Sequence, residues 1–562
     1  MRAELRAAAD EWLAEDPDPA TRDELRGLLD ADDEPAVADR FAGRLAFGTA
    51  GLRGPLRAGP NGMNRAVVRR TASGLAACLR EAGVPGPVVI GYDARHGSAD
   101  FARDSAAVFA GAGFTAKVLP RPLPTPVLAY AVRLLGAAAG VMVTASHNPA
   151  QDNGYKVYGA DGAQIVPPVD AAIEAAIGAV GPLSTVPMSD AYEVLGEEAL
   201  ESYLDRVATV PLTPHRRLRT VHTALHGVGA GVLRAAFARA GFPAPAEVAE
   251  QAEPDPDFPT TAFPNPEEPG ALDLALALAA GTDADLLVAN DPDADRCSLA
   301  VPTPAGWRPL TGDELGVLLA DHLIRGGRTG TYATTIVSSS MLGALCRARG
   351  VHYAETLTGF KWIVRGAADL AYGYEEALGY CVLPAAVLDK DGVSAALLAA
   401  DLAAALRADG RSLTDRLDEL AAELGLHATA PLTLRVEDLA EIGAAMARLR
   451  AAPPDRLLDR PVRTVEDLLP DADVVRLRAD GVRVVVRPSG TEPKLKAYLE
   501  VVVPVPGGDP VAAPATRDTA ASQLDRLKSE LTPLLAPGAA TGNVRRETST
   551  ASAQIAHPSE QQ

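Results

Sequence analysis

The chain has 562 residues, more than one hydrophobic core supports, so we expect about three or four domains. Its composition, 47% hydrophobic and 22% charged, is that of an ordinary soluble globular protein. The net charge of -20 argues against nucleic acid or an anionic membrane as the main partner, and no apolar run approaches the roughly 18 residues that a membrane-spanning helix needs.

The first segment, MRAELRAAADEWLAEDPDPATRDEL, has the pattern of acidic amphipathic helices and lacks the basic end and apolar stretch of a signal peptide. The four cysteines are scattered without a C-x-x-C pair, so we predict neither a disulfide framework nor a zinc site. Scarce cysteine favours a reducing, cytoplasmic location.

After this N-terminal helical extension over residues 1–45, the chain shows three α/β segments. In the first, GPVVIGYDARHGSADFARDSAAVFAGAGFTAKVLP predicts a strand, a loop, a helix and a strand. RTVHTALHGVGAGVLRAAFARAGF and ADLLVANDPDADRCSLAV belong to the second, and TGDELGVLLADHLIRGGRTGTYATTIVSS opens the third. Apolar strands alternating with helices predict α/β domains with largely parallel sheets. We assign these domains to residues 46–205, 206–312 and 313–425.

The last part of the chain has a different pattern. GVRVVVRPSGTEPKLKAYLEVVV predicts two strands around a Gly-Thr turn, and ASQLDRLKSELTPLL predicts a helix, so residues 426–536 are expected to form a smaller α+β domain. Segment 503–517 is rich in Pro, Gly and Ala and is predicted to be a loop or insertion. Residues 537–562 are polar, small and aperiodic, which predicts a disordered tail.

A serine at the end of a small-residue strand is the first candidate for chemistry. The stretch VTASHNPAQDNGYKVYG, residues 143–159, places Ser146 directly before histidine, asparagine and proline. Ser146 is a candidate for a helix N-cap and a candidate for a nucleophile. The two roles are compatible, because N–H groups and the dipole at a helix start favour a phosphoryl anion.

Three carboxylates follow a predicted strand in ADLLVANDPDADR. Asp291, Asp293 and Asp295 repel one another unless a cation joins them, and closely spaced oxygen ligands suit Mg²⁺. A calcium loop of the EF-hand type is excluded, because its sixth and twelfth positions are Arg296 and Pro302 instead of Gly and Glu. A solvated acidic turn is the less favoured alternative.

Two glycine-containing loops with basic residues indicate anion binding. VRPSGTEPKLK offers a planar guanidinium, two hydroxyls, a glycine and lysines to a phosphate, although a hairpin turn with a basic edge explains the composition equally well. FGTAGLRGPLRAG, with Arg53 and Arg57, is a weaker signal of the same kind. Local positive charge of this sort is compatible with the acidic chain, because a pocket can oppose the global charge.

Three further loops hold charged residues beside glycine. GYEEALGY contains Glu375 and Glu376, which suit sugar hydroxyls, although an exposed acidic loop is the usual explanation. TLTGFKWIV and LDKDGVSAA each present a lysine, Lys361 and Lys390, which alone are ordinary loop lysines. HGVGAGVL does not meet the G-x-G-x-x-G spacing, so a nicotinamide cofactor is not predicted.

These segments together give the sequence a family resemblance. FGTAGLRG, GYDARHGS, TASHNP, NGYKVY, DPDADR, TGFKW, EEALG, KDG and RPSGTEPK occur in this order over roughly residues 40 to 535. The sequence resembles the α-D-phosphohexomutase superfamily, which contains phosphoglucomutases, phosphomannomutases and their relatives. The resemblance implies three similar α/β domains with mixed, largely parallel sheets and a C-terminal α+β domain around a central cleft.

The resemblance also implies roles for individual residues. Ser146 would carry a phosphoryl group, and Asp291, Asp293 and Asp295 would bind Mg²⁺ together with an oxygen of that phosphoserine. The residues that would surround the transferring phosphoryl group are Arg53, His147, Lys156 and Arg296. The residues that would bind the substrate are Thr358, Gly359, Lys361, Glu375, Glu376, Lys390, Arg487, Ser489, Gly490, Thr491 and Lys494.

The implied reaction is the interconversion of hexose 1-phosphate and hexose 6-phosphate through phosphoserine and a sugar bisphosphate, with glucose 1,6-bisphosphate or a related bisphosphate as activator. Lys156 is predicted to transfer a proton, because crowding by cations and partial burial would lower its pKa. The implied partners are sugar phosphates, with no nucleic acid or membrane, and the implied state is a monomer or homodimer.

One departure from the family pattern bears on the substrate. Ala377 follows the acidic pair where many hexomutases have serine, and the pair itself argues against a glucosamine-phosphate mutase. Glucose or mannose phosphates are therefore favoured, and pentose 1-/5-phosphate stays open. Two other classes are considered. A phosphatase with an aspartate nucleophile lacks the expected Thr or Val, since Arg296 follows Asp295, and a non-catalytic sugar-phosphate-binding relative would not need Ser146.

Overall fold

The computed structural model describes residues 1–48, 51–436, 438–489 and 494–535. Contacts divide the chain into two compact units. The first contains Met1–Thr335 and Leu345–Thr414, and the second contains Ile336–Ala344 and the chain from Asp415 onward. The predicted tail over residues 537–562 lies outside the described residues. Within the described part, no helix is long and apolar enough to cross a bilayer.

The chain begins with three helices: α1 (Ala3–Glu15), α2 (Pro19–Asp30) and α3 (Glu34–Arg40). Proline at the first turn and a capping aspartate start α2, since the Asp18 side chain accepts a hydrogen bond from the N–H of Ala20. Leu25, Leu29 and Val37 of these helices are buried in a small apolar cluster. The predicted N-terminal helices are confirmed.

The first α/β segment carries a six-stranded sheet. Its elements are β1 (Leu52–Pro55), α4 (Arg65–Ala82), β2 (Val88–Tyr92), α5 (Ser98–Gly111), β3 (Ala116–Val118), α6 (Thr125–Leu134), β4 (Ala139–Val143), β5 (Asp152–Gly159), α7 (Val169–Gly178), β6 (Glu193–Val194) and α8 (Glu198–Val207). The strand order is β1-β5-β4-β2-β3-β6, with β4, β2, β3 and β6 parallel. Strands β5 and β1 continue the sheet antiparallel. The sheet is mixed because β5 follows β4 through a short loop, which leaves no room for a crossover helix.

The second segment carries a five-stranded sheet of the order β11-β10-β9-β7-β8. Its elements are β7 (Thr220–Thr223), α9 (Gly229–Arg239), β8 (Ala246–Glu247), α10 (Ala249–Ala252), α11 (Asp273–Ala280), β9 (Leu286–Ala289), β10 (Ser298–Thr303) and β11 (Gly306–Pro309). Strand β7 is parallel to β8 and β9, whereas β10 and β11 are antiparallel. All four residues of β9 are buried, as its continuous apolar sequence predicts.

The third segment carries the four-stranded sheet β13-β12-β14-β15, in which β12 is parallel to β13 and β14. Its elements are α12 (Gly312–Arg325), β12 (Thr331–Thr335), α13 (Met341–Arg349), β13 (His352–Thr356), α14 (Phe360–Ile363), β14 (Leu370–Glu375), β15 (Gly379–Cys381) and α15 (Gly392–Ala408). Thr311 and Glu314 form a capping box that starts α12, and the Asp391 side chain caps α15.

The last segment forms the antiparallel sheet β16-β21-β20-β19-β18-β17 with flanking helices. Its elements are α16 (Leu413–Leu424), β16 (Leu426–Arg435), α17 (Leu439–Ala451), β17 (Arg456–Leu457), β18 (Arg460–Asp467), β19 (Val475–Ala479), β20 (Val482–Pro488), β21 (Lys494–Val503) and α18 (Ala513–Leu535). Inward-facing leucines and valines of the sheet pack against Leu524, Leu527 and Leu531 of α18. The prediction of three α/β domains and a C-terminal α+β domain is confirmed for the fold class.

The predicted loop over 503–517 is shorter in the structure, because helix α18 already begins at Ala513. Pro514 does not prevent this, since the first turn of a helix needs no N–H from its proline. Ala513 and Thr516 are buried, and the Thr516 hydroxyl donates to the carbonyl of Ala512. Burial of this first turn therefore outweighs the loop-like composition.

In the C-terminal unit, Glu500 of β21 is a buried carboxylate with several partners. Its Oε1 accepts hydrogen bonds from Ser339 Oγ (2.7 Å) and Ser340 N (2.8 Å), and its Oε2 lies 2.8 Å from Arg483 Nε. Burial raises the pKa of Glu500, but Arg483 and His427 outweigh it and hold the pKa at about 2. Because this folded-state pKa lies below the ordinary value of 4.5, Glu500 stabilises the fold above pH 4.5, and the contribution is lost as the pH falls toward 2.

We expect Glu500→Gln to lower the free energy of unfolding of this unit at pH 7 by roughly 3 kcal/mol, since it removes the charge facing Arg483. The difference from wild type should shrink as the pH falls below 4.5. Urea-induced unfolding, with amide exchange in β20 and β21 as the local probe, measures it. Glu466→Gln is the matched control, because Glu466 pairs with Arg476 but is 38% exposed. Equal losses in both variants would contradict the prediction.

Candidate active site

Ser146 lies in the loop that joins β4 to β5. Its backbone has a φ of 51°, in the left-handed region, and its N–H donates to Thr144 Oγ1 at 2.9 Å. The prediction of a helix N-cap is wrong, because the chain enters β5 at Asp152 and no helix begins at the serine. Residues 144–151, which join β4 to β5, form turns and bends and no helix. Ser146 therefore lies in a turn.

The predicted aspartate cluster lies against this serine. Asp291, Asp293 and Asp295 follow β9, are at most 1% exposed, and offer carboxylate oxygens that all lie within 4.8 Å of one another. Ser146 Oγ donates to Asp291 Oδ2 at 2.7 Å. Two segments separated by about 145 positions in the chain thus meet at one hydroxyl.

Two lysines neutralise part of this negative charge. Lys156 Nζ, on β5, donates to Asp293 Oδ2 at 2.7 Å and to Asp295 Oδ2 at 3.0 Å. Lys390 Nζ lies 3.4 Å from Asp295 Oδ2. Burial lowers the pKa of Lys156, but the two carboxylates raise it by more than this, so the pKa lies above its ordinary value. The expected lowering of this pKa is therefore wrong, because carboxylates and not cations are the direct partners of the ammonium group.

The same carboxylates fit a divalent cation. Asp293 Oδ1 and Asp295 Oδ1 are buried and accept no hydrogen bond from the residues that the structure describes. Burial, followed by the charges of its two neighbours, raises the pKa of Asp291 well above its ordinary value. Hard oxygen ligands with unsatisfied buried atoms are the donor set that Mg²⁺ prefers. These three residues could hold such an ion.

The other residues predicted near the serine also lie there. Arg53, on β1, donates to Asn148 Oδ1 at 3.0 Å, and His147 Nδ1 lies 3.2 Å from Ser146 Oγ. The backbone N–H of Arg296 donates to Asp291 Oδ1 at 3.1 Å. Burial and the nearby guanidinium groups of Arg296 and Arg53 lower the pKa of His147 well below its ordinary value, which leaves a neutral imidazole beside the hydroxyl.

A glycine explains how β1 reaches this place. Gly51 has a φ of 80°, and a Cβ there would lie 1.8 Å from the carbonyl oxygen of Tyr155. Its absence lets β1 approach β5, so that Arg53 pairs with Gly154 in register. The glycine-rich sequence FGTAGLRG is thus required for backbone approach.

The third segment adds carboxylates and a lysine. Glu375 ends β14, and Glu376 Oε2 accepts a hydrogen bond from Thr335 Oγ1 at 3.3 Å. Burial raises the pKa of Glu375 to about 7, against the lowering effect of Lys390. Gly392 follows Lys390 closely, and a Cβ there would lie 2.1 Å from the carbonyl oxygen of Arg296. This contact brings the KDG segment against the aspartate loop.

The TGFKW segment lies beside Lys390. The Lys390 ammonium is 5.4 Å from the ring centre of Phe360, which begins α14 directly after Gly359. The hydroxyl of Thr358 is buried and has no hydrogen-bond partner within the described part of the chain. Lys361 Nζ lies 5.8 Å from the ring centre of Trp362, and burial lowers the pKa of Lys361.

The predicted phosphate loop belongs to the C-terminal unit. Arg487 is the second-last residue of strand β20, and Lys494 is the first residue of β21. The N–H of Ser489 donates to the carbonyl of Lys494 at 2.8 Å. Gly490 and Thr491 lie outside the described residues, so their predicted roles stay predictions.

Three polar residues of the site were not predicted from the sequence. Thr125, the first residue of α6, donates from its hydroxyl to Asp293 Oδ2 at 2.6 Å. Asn148 joins Arg53 to Asp152, and Asn290 donates to the carbonyl of Arg296 at 2.6 Å. Asn148 lies within TASHNP and Asn290 within ADLLVANDPDADR, so their positions beside Ser146 and Asp291 were a signal in the sequence. Thr125 had none, because it comes from a distant helix start.

Four family models match the chain in order. Phosphoglucomutase/phosphomannomutase α/β/α domains I, II and III match residues 44–181, 201–306 and 311–424, and the C-terminal domain of the same family matches residues 432–504. A probable phosphomannomutase of Haemophilus influenzae is 45% identical over 451 residues, which cover 78% of this chain and 93% of the relative.

The chain belongs to the phosphoglucomutase/phosphomannomutase family.

Other family members match a larger share of this chain at lower identity. A phosphopentomutase of Mus musculus is 34% identical over 580 residues, which cover 91% of this chain and 92% of the relative. Among solved structures, a putative phosphomannomutase of Thermus thermophilus superposes with a TM-score of 0.66 at 28% identity, covering 82% of this chain and 96% of its own. Mutases of this family are isomerases that transfer a phosphoryl group within their substrate, and the chain is an enzyme of this class.

Proposed function

We propose that this phosphoglucomutase/phosphomannomutase family member interconverts hexose 1-phosphate and hexose 6-phosphate, with glucose or mannose as the sugar. The observation that carries the proposal is the hydrogen bond of 2.7 Å from Ser146 Oγ to Asp291, within a buried carboxylate cluster flanked by Lys156 and Lys390. A hydroxyl held between carboxylates and lysines is suited to carry a phosphoryl group and to release it.

In the proposed reaction, phosphorylated Ser146 donates its phosphoryl group to the free hydroxyl of a sugar monophosphate. The bond from phosphorus to Ser146 Oγ breaks and Oγ takes up a proton, while a bond from phosphorus to the sugar oxygen forms and that hydroxyl loses its proton. The resulting bisphosphate reorients and returns its other phosphoryl group. In this second transfer the bond from phosphorus to the other sugar oxygen breaks, that oxygen takes up a proton, and a bond from phosphorus to Ser146 Oγ forms as the serine hydroxyl loses its proton. Escape of the bisphosphate would leave the serine unphosphorylated, so glucose 1,6-bisphosphate or a related compound would act as an activator.

Asp291, Asp293 and Asp295 would hold Mg²⁺, to which the serine side chain would add an oxygen. When bound, this ion would supply positive charge to the oxygens of the phosphoryl group. Asp291 additionally orients the Ser146 hydroxyl, and Thr125 orients Asp293 through the hydrogen bond of 2.6 Å.

The cationic side chains would stabilise the negative charge of the transferred group in a loose transition state. The side chains of Arg53 and Lys156 contact the serine and aspartate loops. The Arg296 guanidinium is near enough to His147 to lower the pKa of that imidazole. The neutral imidazole of His147, 3.2 Å from Ser146 Oγ, can donate a hydrogen bond to a phosphoryl oxygen or accept one from the free hydroxyl. Proton transfer by Lys156 remains a prediction.

Recognition of the sugar phosphate is assigned to the remaining loops. Glu375 and Glu376 would accept hydrogen bonds from sugar hydroxyls beside Lys390. We assign Thr358, Gly359 and Lys361 to substrate binding as well. The phosphate that does not react would be bound by Arg487, Ser489, Gly490, Thr491 and Lys494. Guanidinium and hydroxyl donors of this kind match the geometry of a phosphate.

The family comparison supports a hexose over a pentose as substrate. The relative at 45% identity is a probable phosphomannomutase, whereas the mouse phosphopentomutase is 34% identical. Pentose 1-/5-phosphate is the alternative. We further propose that the enzyme is cytoplasmic, acts on sugar phosphates as a monomer or homodimer, and uses neither nucleic acid nor membrane as a partner.

Substrate preference is tested with glucose, mannose, ribose, deoxyribose and glucosamine 1-phosphates, each with catalytic glucose 1,6-bisphosphate and Mg²⁺. We expect kcat/KM for glucose or mannose 1-phosphate to exceed that for ribose 1-phosphate by at least about tenfold, which corresponds to about 1.4 kcal/mol of transition-state binding. Prior treatment with EDTA should abolish turnover, and Mg²⁺ should restore it. Equal kcat/KM values for ribose and glucose substrates would overturn the preference for hexose.

A further inference from the structure

The loop that carries Ser146 has little support of its own. Between β4 and β5, the backbone N–H of Asn148 donates to the carbonyl of Ala145, and that of Asp152 donates to the carbonyl of Pro149. The carbonyls of Ser146, Asn148, Pro149 and Asp152 point to one place and need donors there. The Ser146 carbonyl is buried, and a buried backbone carbonyl without a partner is costly, so a donor is required at this place.

Arg95 fills it. Its Nη1 donates to the carbonyls of Pro149 (2.7 Å) and Asp152 (3.1 Å), and its Nη2 donates to those of Ser146 (2.7 Å) and Asn148. The side chain is 1% exposed. One planar guanidinium thereby gathers four carbonyls across seven residues of the loop. A lysine cannot replace it, because an ammonium group has three donors on a single atom.

Arg95 is itself fixed by both α/β segments that meet at the serine. Asp93, at the end of β2, accepts from the N–H of Arg95 at 3.0 Å and lies 3.4 Å from its Nε. From the second segment, the ring centre of Phe258 lies 4.8 Å from the guanidinium carbon. Beside it, His96 Nε2 lies 2.7 Å from Asp257 Oδ1.

We propose that Arg95 is a positioning residue that holds the Ser146 loop in the orientation required for phosphoryl transfer, an inference that rests on the proposed function. The guanidinium acts on Ser146 through backbone carbonyls and leaves the reacting atoms to other side chains. Catalytic groups must be held to within about 0.5 Å of their productive geometry, and a misplacement of about 1 Å costs on the order of 100-fold in rate.

The main test compares Arg95→Lys with wild type in the full chain. We expect kcat for glucose 1-phosphate to fall about 100-fold while KM changes less than about threefold, because the groups proposed to bind the sugar are intact. Arg70→Lys is the matched control, since Arg70 also donates to two carbonyls, those of Val180 and Gly181, and pairs with Glu15 away from the serine. We expect this control to keep wild-type kcat.

Hydrogen exchange supplies a readout that does not depend on activity. Amides of residues 144–152 should exchange at least about tenfold faster in Arg95→Lys, while the rest of the first unit keeps wild-type protection. In addition, free guanidinium at millimolar concentration should restore part of kcat to Arg95→Ala and should leave the kcat of Arg70→Ala unchanged. Exchange that increases evenly over the unit, or a KM effect without a kcat effect, would overturn the proposal.

Failure of the proposed function gives a different result. Wild-type protein without mutase activity would refute that function, and exchange in residues 144–152 would then alone decide whether Arg95 orders the loop. If Arg95→Lys does not fold, Phe258→Leu tests the same support from the other segment, with an expected fall in kcat of about fivefold and faster exchange in the same loop. Unchanged exchange and kcat in Phe258→Leu would overturn the proposal.

Discussion

Replacement of Ser146 by alanine is expected to lower kcat by at least about 10⁴-fold, because the phosphoryl group then has no carrier oxygen. The Ser146 hydroxyl is 2.7 Å from Asp291 and 3.2 Å from His147, so its loss removes the atom on which both contacts converge. The coupled assay of glucose 1-phosphate turnover measures the effect.

Intact-mass measurement tests the same residue without turnover. Wild type incubated with glucose 1,6-bisphosphate should gain one phosphoryl group, about 80 Da, on Ser146, whereas Ser146→Ala should gain none. Ser105→Ala is the control, since Ser105 is a fully buried serine of the same segment whose hydroxyl donates to the carbonyl of Phe101. Full activity of Ser146→Ala would exclude a phosphoserine mutase and would favour an aspartate nucleophile or a binding protein.

Replacement of Lys156 by methionine is expected to lower kcat by about 100- to 1,000-fold. The change leaves Asp293 and Asp295 without the ammonium group that lies 2.7 Å and 3.0 Å from them, and it removes the candidate for proton transfer. Steady-state kcat at saturating Mg²⁺ and bisphosphate measures it. Lys117→Met is the control, because Lys117 pairs with Glu193 at the protein surface.

Lys156→Arg separates the two roles of this lysine. The carboxylates raise the pKa of Lys156, so we expect its charge to matter most, and the arginine variant should recover at least about tenfold over Lys156→Met. An arginine variant as inactive as the methionine variant would instead support proton transfer, since a guanidinium stays protonated. Near-normal turnover of Lys156→Met would contradict both roles.

Three segments contribute to the site through residues at the ends of their strands. Ser146 follows β4, Asp291 follows β9, and Glu375 ends β14. Each of these strands is parallel to a neighbour in its sheet. Functional loops of open α/β sheets gather at the carboxyl ends of parallel strands, which explains why these three loops lie at one site.

By itself, the sequence determined the fold class and the order of the segments. It also identified Ser146, the aspartate cluster and the lysines as candidate site residues. These properties are local, since they depend on apolar runs, glycines and the spacing of polar residues over a few positions. Gly51 is an example, because its φ of 80° lies in the left-handed region, which favours glycine.

The tertiary structure alone decided which groups touch. The N-cap prediction for Ser146 was wrong because residues 144–151 between β4 and β5 form turns and no helix. The pKa prediction for Lys156 was wrong because its partners come from the second segment. Thr125 and Arg95 also gained their contacts from distant parts of the chain. Hydrogen bonds and charge effects act over a few ångströms in space, and separation along the chain does not determine these distances.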